Sequence, residues 1–263
     1  MNFLLEDLSG LKVYLDDIIC TDEWTEHLQR LGDVLKRLRD HHLTINMAKI
    51  CFCSALVTYL GHEVGHGCFC PKTANVDAII AYPAFSTRKA LMHFLGMVGY
   101  YRRYCPNFSA VAASLTRLTS NKAAFEWIPE CQASFNELNN SLMHDPVLAA
   151  SDSRLSYNLQ TDASEDALGA VLLQERDVIL HPVVYHSATF NKHQGSYNTI
   201  EKELLSVILA IKKFECYAHG QQQLQVYTNH NPLTFLMRNQ FSNQRLLHWS
   251  LFLESYDIKM KHI

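Results

Sequence analysis

The sequence predicts an α/β chain of the mixed (α+β) kind, and three observations carry that expectation. Of its 263 residues, 48% are hydrophobic and 19% charged, enough apolar material to bury a core and too little charge for disorder. Apolar residues recur at helical spacing through the first half, between short strand-like pairs. From about residue 155, three short strands are followed by a long helix, a strand and a further helix. That order builds a mixed sheet with helices packed on it. The change of texture puts a boundary near 150, with "DPVLAASD" (145–152) as the linker candidate. The expected division is 1–80, 81–150 and 151–263.

In chain order, "LKVYLDDIIC" (11–20) reads as strand, acidic turn, strand. A helix over 24–40 carries Leu28, Leu31, Leu35 and Leu38 at helical spacing. "LVTYLGHEVGHG" (56–67) reads as a hairpin with Gly61 and Gly65 as breakers. Ser86 suits the N-cap of a helix that buries Leu91, Phe94, Leu95 and Val98. Another helix fits 130–143. "LSYNLQTDAS", "GAVLLQ" and "HPVVYHSAT" are the three strands. A helix over roughly 199–217, a strand at 223–228 and a helix from Pro232 complete the pattern.

Charge and cysteines narrow the function classes. The net charge is −3, against the strong basic excess of a free-standing nucleic-acid binder. The segment from Ser86 to Lys122 is nevertheless basic: it holds Arg88, Lys89, Arg102, Arg103, Arg117 and Lys122 and no Asp or Glu. With Tyr100, Tyr101 and Tyr104 nearby, it could meet a phosphate backbone; the plainer alternative is a solvated helix face. The N-terminus has no basic segment followed by an apolar run, and no stretch reaches the roughly 18 apolar residues of a membrane helix. A soluble, intracellular chain without membrane contact is expected, with cytoplasm or nucleus open. Cys51, Cys53, Cys68 and Cys70, with His62 and His66 between, resemble zinc ligands only loosely. Paired zinc cysteines usually have two to four residues between them, where each pair here has one.

Three positions could carry chemistry in the second half. Asp162 ends a strand, Glu203 lies early in a helix, and Asn229 ends a later strand. Strand ends and a helix start can converge at one edge of a sheet. Carboxylates gathered there would hold hard divalent cations such as Mg²⁺. Two such cations about 4 Å apart activate water and stabilise the leaving oxygen in phosphodiester hydrolysis. The same residues also fit local roles: Asp162 as a turn residue, and Asn198 with Glu201 as a capping box.

The motifs "TDASEDALGAVLLQ", "HPVVYHSATFNKHQGSYNTIEKELLSVILAIKKFECYAHG", "VYTNHNPLTFL" and "RLLHWSLFLESYDIKMKH" together resemble the ribonuclease H domain of gypsy-type retroelement Pol polyproteins. "VYLDDIIC" resembles the Tyr-x-Asp-Asp loop of a reverse-transcriptase palm, and "TYLGHEV" its primer-gripping hairpin. "FLGMVGYYRRYCPNFS" and "FEWIPECQASFNELNNSLMHDPVLA" are similar to the thumb and connection. The resemblance covers nearly the whole chain, in order. It implies that Asp16 and Asp17 face catalytic Mg²⁺ (or Mn²⁺), with Tyr14 near the primer. It likewise implies nucleic-acid contacts for Tyr59, Gly61, His62, Arg102, Arg103 and His230. Asp162 and Glu203 map onto metal ligands, with Glu201 as the fallback for Glu203. The third ligand should be the Asp of Thr-Asp-His-x-Pro-Leu, but here the stretch is Thr228-Asn229-His230-Asn231-Pro232-Leu233. Asn229 keeps an oxygen and loses the charge that offsets cation repulsion, so weak metal binding and a large rate loss are expected. Only thirteen residues precede Tyr14, so the palm strand bearing another metal-binding Asp is expected from a longer polyprotein, and polymerase activity is expected to be absent here. The implied partner is an RNA–DNA hybrid or primer–template duplex. The competing expectation is a non-catalytic retroelement remnant that at most binds nucleic acid or a protein.

Overall fold

The computed structural model describes residues 2–8, 10–15, 17–20, 24–82, 85, 87–122, 124–143, 147–152, 154–218, 223–229 and 244–262. Its contacts group into two compact units, Met1–His66 and Gly67–Ile263. Among the described residues no helix is long and apolar enough to cross a membrane.

In the first unit, a short helix α1 (Asn2–Leu5) precedes the antiparallel strands β1 (Leu11–Tyr14) and β2 (Asp17–Cys20), with Tyr14 opposite Asp17. Helix α2 (Trp24–Asp40) buries Val34 and Leu38. Leu28 and Leu35, expected on the buried stripe, are exposed. Val34 is buried in place of Leu35, while Leu38 is buried as expected, so part of the inward line is rotated about one residue. Arg37 fastens α2 to the N-terminal segment by donating to both carboxylate oxygens of Asp7 and to the Leu4 carbonyl, each at 2.9 Å. Strands β3 (Leu56–Tyr59) and β4 (His62–Gly65) form the expected hairpin. Its two turn residues, Leu60 and Gly61, both have positive φ (48° and 71°), matching the right-handed strand twist. Gly65 is not a breaker but a strand residue: a Cβ there would overlap the backbone of Ala55.

The second unit has two buried clusters. Strand β5 (Cys68–Pro71) and helices α3 (Thr73–Ile80), α4 (Arg88–Tyr100), α5 (Phe108–Val111), α6 (Ala113–Leu118) and α7 (Pro129–Met143) build the first. It is centred on Leu91, Phe94, Val98, Tyr104, Leu115 and Leu138. Leu95 is only partly buried. Ser86 lies outside the described residues, and the α4 cap is Thr87, whose hydroxyl accepts from the Ala90 N–H at 3.2 Å. The linker candidate contains a buried strand, β6 (Leu148–Ala149), paired antiparallel with β5.

The second cluster belongs to a five-stranded sheet. Strands β7 (Tyr157–Ala163), β8 (Ala167–Arg176) and β9 (Ile179–Thr189) form an antiparallel meander. After the one-turn helix α8 (Lys192–Gly195), helix α9 (Thr199–Lys213) packs on the sheet. The expected 199–217 helix breaks at Phe214, leaving α10 (Glu215–Ala218) as a separate turn. Strand β10 (Leu224–Thr228) lies parallel to β7. The helix expected from Pro232 falls outside the described residues. Helix α11 (Gln244–Glu254) leads to β11 (Ile258–His262), parallel to β10, and the strand order is β11-β10-β7-β8-β9. The architecture is mixed α/β, as expected.

Candidate functional site

The sheet register brings the strand-end positions together. In the parallel β7–β10 pair, Thr161 is opposite Thr228, so Asp162 and Asn229 are the next residues in step on adjacent strands. Both are exposed. Glu203 enters from α9, which packs on β7. Only 5% of Glu203 is exposed, and its Oε2 is buried with no hydrogen-bond partner among the described residues. Burial pushes its carboxyl up to about 7, the nearby Asp162 charge pushes the same way, and the Ala163 N–H opposes both. A buried carboxylate with an unsatisfied oxygen beside a second carboxylate is a costly arrangement unless something neutralises it.

The helix start separates the two glutamates. Asn198 and Glu201 form a reciprocal capping box: the Asn198 N–H donates to Glu201 Oε2 at 3.2 Å, and the Glu201 N–H donates to Asn198 Oδ1 at 2.8 Å. Arg245 of α11 donates to Glu201 Oε1 at 3.0 Å while stacking on Tyr197. Both Glu201 oxygens are thereby engaged, and Glu203 is the glutamate left facing Asp162. Between them, Lys202 turns back and donates to the Glu165 carbonyl at 2.8 Å. Consecutive residues of α9 thus hold the β7–β8 turn at two points, through Glu165 and Ala163. Sequence inspection missed Lys202; a lysine between two glutamates in a helix start reads as a solvated charge until its burial is known.

This donor set fits a hard divalent cation. Asp162 and Glu203 supply anionic oxygens, and a cation between them would satisfy the orphaned Glu203 oxygen and favour its ionised form. Asn229 adds at most a neutral amide. Its backbone carbonyl is 3.1 Å from the His262 ring Nε2. Among the described residues, no group of three or more His, Cys, Asp or Glu side chains is placed to hold a metal, which applies also to the cysteine pairs.

The other positions singled out in the sequence lie elsewhere. In the first unit, Tyr14 and Asp17 face each other across the β1–β2 turn. Tyr59 is near enough that, after burial, their charges also push its phenol up. Asp16 and His230 fall outside the described residues. Gly61 makes the hairpin turn and His62 is buried in β4. Arg102, which is exposed, and Arg103, which is half-buried, each have a partner within the second unit. Arg102 donates to the Ser187 carbonyl at 2.6 Å and stacks over Phe108, and Arg103 stacks over Phe69 at 4.7 Å.

Residues 152–256 match the family described as the RNase H-like domain found in reverse transcriptase. The chain is 35% identical over 253 residues to the Retrovirus-related Pol polyprotein from transposon 297 of Drosophila melanogaster, covering 95% of this chain and 23% of that protein. It is 31% identical over 259 residues to the Transposon Tf2-3 polyprotein of Schizosaccharomyces pombe, covering 97% of this chain and 19% of that protein. The chain therefore spans a quarter or less of these relatives. Among solved structures, a foamy viral protease-reverse transcriptase in complex with double-stranded DNA superposes with a TM-score of 0.84 at 24% identity, over 100% of this chain and 47% of that one. A foamy viral protease-reverse transcriptase in complex with an RNA/DNA hybrid gives 0.81, also at 24% identity, over 100% of this chain and 36% of that one. At that identity the likeness is one of fold. Residues 152–256 thus have the ribonuclease H-like fold found in reverse transcriptase, within a chain that resembles retroelement Pol polyproteins along nearly its whole length.

Proposed function

We propose that the region 151–263 engages an RNA–DNA hybrid and hydrolyses its RNA strand with a divalent cation, Mg²⁺ or Mn²⁺, at a rate limited by Asn229. The observation that carries this is the buried Glu203 carboxylate near Asp162, with its Oε2 lacking a hydrogen-bond partner among the described residues. Asp162 and Glu203 would hold the cation, which when bound activates water and stabilises the departing oxygen. Without a cation, a proton held on Glu203 near neutrality avoids placing a buried charge beside the exposed carboxylate of Asp162. Lys202 fixes the β7–β8 turn, and with it the backbone next to Asp162. Asn229 completes the row without charge, so cation affinity and rate fall below those of a site with three carboxylates. The duplex partner is supported by the complexes of the foamy viral relatives. RNA-directed DNA synthesis is assigned to the longer polyprotein, with Asp16 and Asp17 as its metal ligands, and not to this chain alone.

The test is cleavage of a labelled RNA–DNA hybrid in Mg²⁺ or Mn²⁺ by the wild type, Asn229→Asp and Asp162→Asn. Slow cleavage by the wild type, faster cleavage by Asn229→Asp and none by Asp162→Asn support the proposal. No cleavage by either wild type or Asn229→Asp, with hybrid still bound, favours the second reading. That reading is a non-catalytic remnant that binds duplex, and the neutral side chain of Asn229 is what favours it.

A further inference from the structure

The turn at Asn107 belongs to the helical cluster by sequence, yet its side chain lies over Gly169, the residue paired with Asp162. Across the meander, Asp162 is paired with Gly169, and Gly169 with Ser187. Directly paired residues project from the same face of a sheet. The neighbouring row is Thr161, Ala170 and His186. Ala170 lies in the α9 core and His186 stacks on Phe214, so that row faces α9. The Asp162–Gly169–Ser187 row therefore faces the other side, and residues 102–109 cover it; Glu203 meets Asp162 only round the end of β7, where it accepts from the Ala163 N–H. The Ser109 N–H donates to Ser187 Oγ at 2.8 Å, and the two hydroxyls are 3.1 Å apart. One step along the row, Asn107 occupies the space over Gly169: a Cβ at Gly169 would overlap Asn107 Oδ1. The next step along the row is Asp162.

Asn107 holds this place through a left-handed backbone (φ 49°), a conformation that Asn tolerates better than most residues. Its side chain makes no capping bond to α5, and its amide has no partner among the described residues. Cβ atoms of directly paired strand residues are about 5 Å apart. An amide seated where the Gly169 side chain would begin is therefore about one water molecule from the Asp162 carboxylate. Mg²⁺ keeps several of its waters when protein-bound, and each of those waters needs an acceptor.

We propose that Asn107 is a positioning residue of the cation site, its amide holding a water of the hydration shell beside Asp162. The proposal rests on the cation-binding role of Asp162 and Glu203. It gives the helical segment a direct part in the ribonuclease H-like centre, and it gives Gly169 its reason for lacking a side chain.

The experiment is calorimetric titration of the full chain with Mn²⁺ in the wild type and in Asn229→Asp, each with and without Asn107→Gly, Asn107→Asp and Gly169→Ala. Glycine adopts the left-handed turn without strain, so Asn107→Gly removes the amide and leaves the backbone. It should weaken Mn²⁺ binding about tenfold, as loss of an outer-sphere partner does. Gly169→Ala should displace the amide and weaken binding equally, yet add nothing in the Asn107→Gly background, where its methyl meets no amide. Asn107→Asp should tighten binding. Affinity unchanged by Asn107→Gly and Asn107→Asp, with or without a fall in Tm, overturns the positioning role and leaves the cation site standing. Absence of Mn²⁺ binding in both wild type and Asn229→Asp overturns the cation site and this role with it.

Discussion

Glu203→Gln should change how stability depends on pH, with a size and sign set by the structure. The carboxyl titrates near 4.5 when free and is pushed up to about 7 in the folded chain. Between those values the folded state holds a proton that the unfolded state has released. Stability from this group is therefore fully present below 4.5, falls as pH rises through the interval, and is lost above about 7. At about 1.4 kcal/mol per pH unit, the interval from 4.5 to about 7 amounts to about 3 kcal/mol. Gln cannot ionise, so the variant lacks this penalty. Urea unfolding of wild type and Glu203→Gln should give similar stabilities near pH 4.5. By pH 8 the variant should be ahead by up to about 3 kcal/mol. Mg²⁺ should stabilise the wild type more at pH 8 than at pH 5, because it binds the ionised form, and should do so much less in the variant. A ¹³C titration of the Glu203 carboxyl reads the same quantity directly, and Asp162→Asn should lower its midpoint without restoring the free value, because burial is the larger cause. Parallel pH profiles for wild type and Glu203→Gln, with a Glu203 midpoint near 4.5, would refute the reasoning.

Three further outcomes follow from other sites. His186 has the opposite sign: burial, then the charges of Arg102 and Lys213, lower it from 6.5 to about 4. Its contribution is present above 6.5 and lost as pH falls toward 4, so His186→Phe should flatten the acid limb by about 3 kcal/mol in urea unfolding. Lys202→Met should remove the bond to the Glu165 carbonyl and cost about 1–3 kcal/mol, with Mn²⁺ affinity falling and Lys202→Arg recovering part of it in calorimetry. Gly65→Ala should destabilise the first unit by about 1–3 kcal/mol through overlap with the Ala55 backbone, read as loss of hydrogen-exchange protection in Thr58 and Val64 while α9 amides are unaffected.

Much of the fold is legible in the sequence because its signals are local. The helix at 24–40, the hairpin at 56–67, the meander after residue 155 and the strand at 223–228 follow from periods of 3.6 and 2 and from turn residues. The helical stripe of α2 is misplaced by about a residue, and the 199–217 helix breaks at Phe214, because burial and helix ends depend on what packs against them. The strand at Ile258–His262 carried no independent signal: its alternation becomes meaningful only once β10 offers an edge.

The candidate site divides the same way. Asp162, Glu203 and the neutral Asn229 are visible in the chain as residue types at strand ends and a helix start, and so is the choice between Glu201 and Glu203. The sequence by itself determined that two carboxylates and one amide occupy these places, because covalent order alone states it. The tertiary structure decided the rest. It committed Glu201 to Asn198 and Arg245, left one buried oxygen of Glu203 without a partner, gave Arg102 the Ser187 carbonyl and Arg103 the Phe69 ring, and set Asn107 over Gly169. Those outcomes depend on contacts between residues tens of positions apart, and a side chain's charge state and partner are properties of that surrounding rather than of its place in the chain.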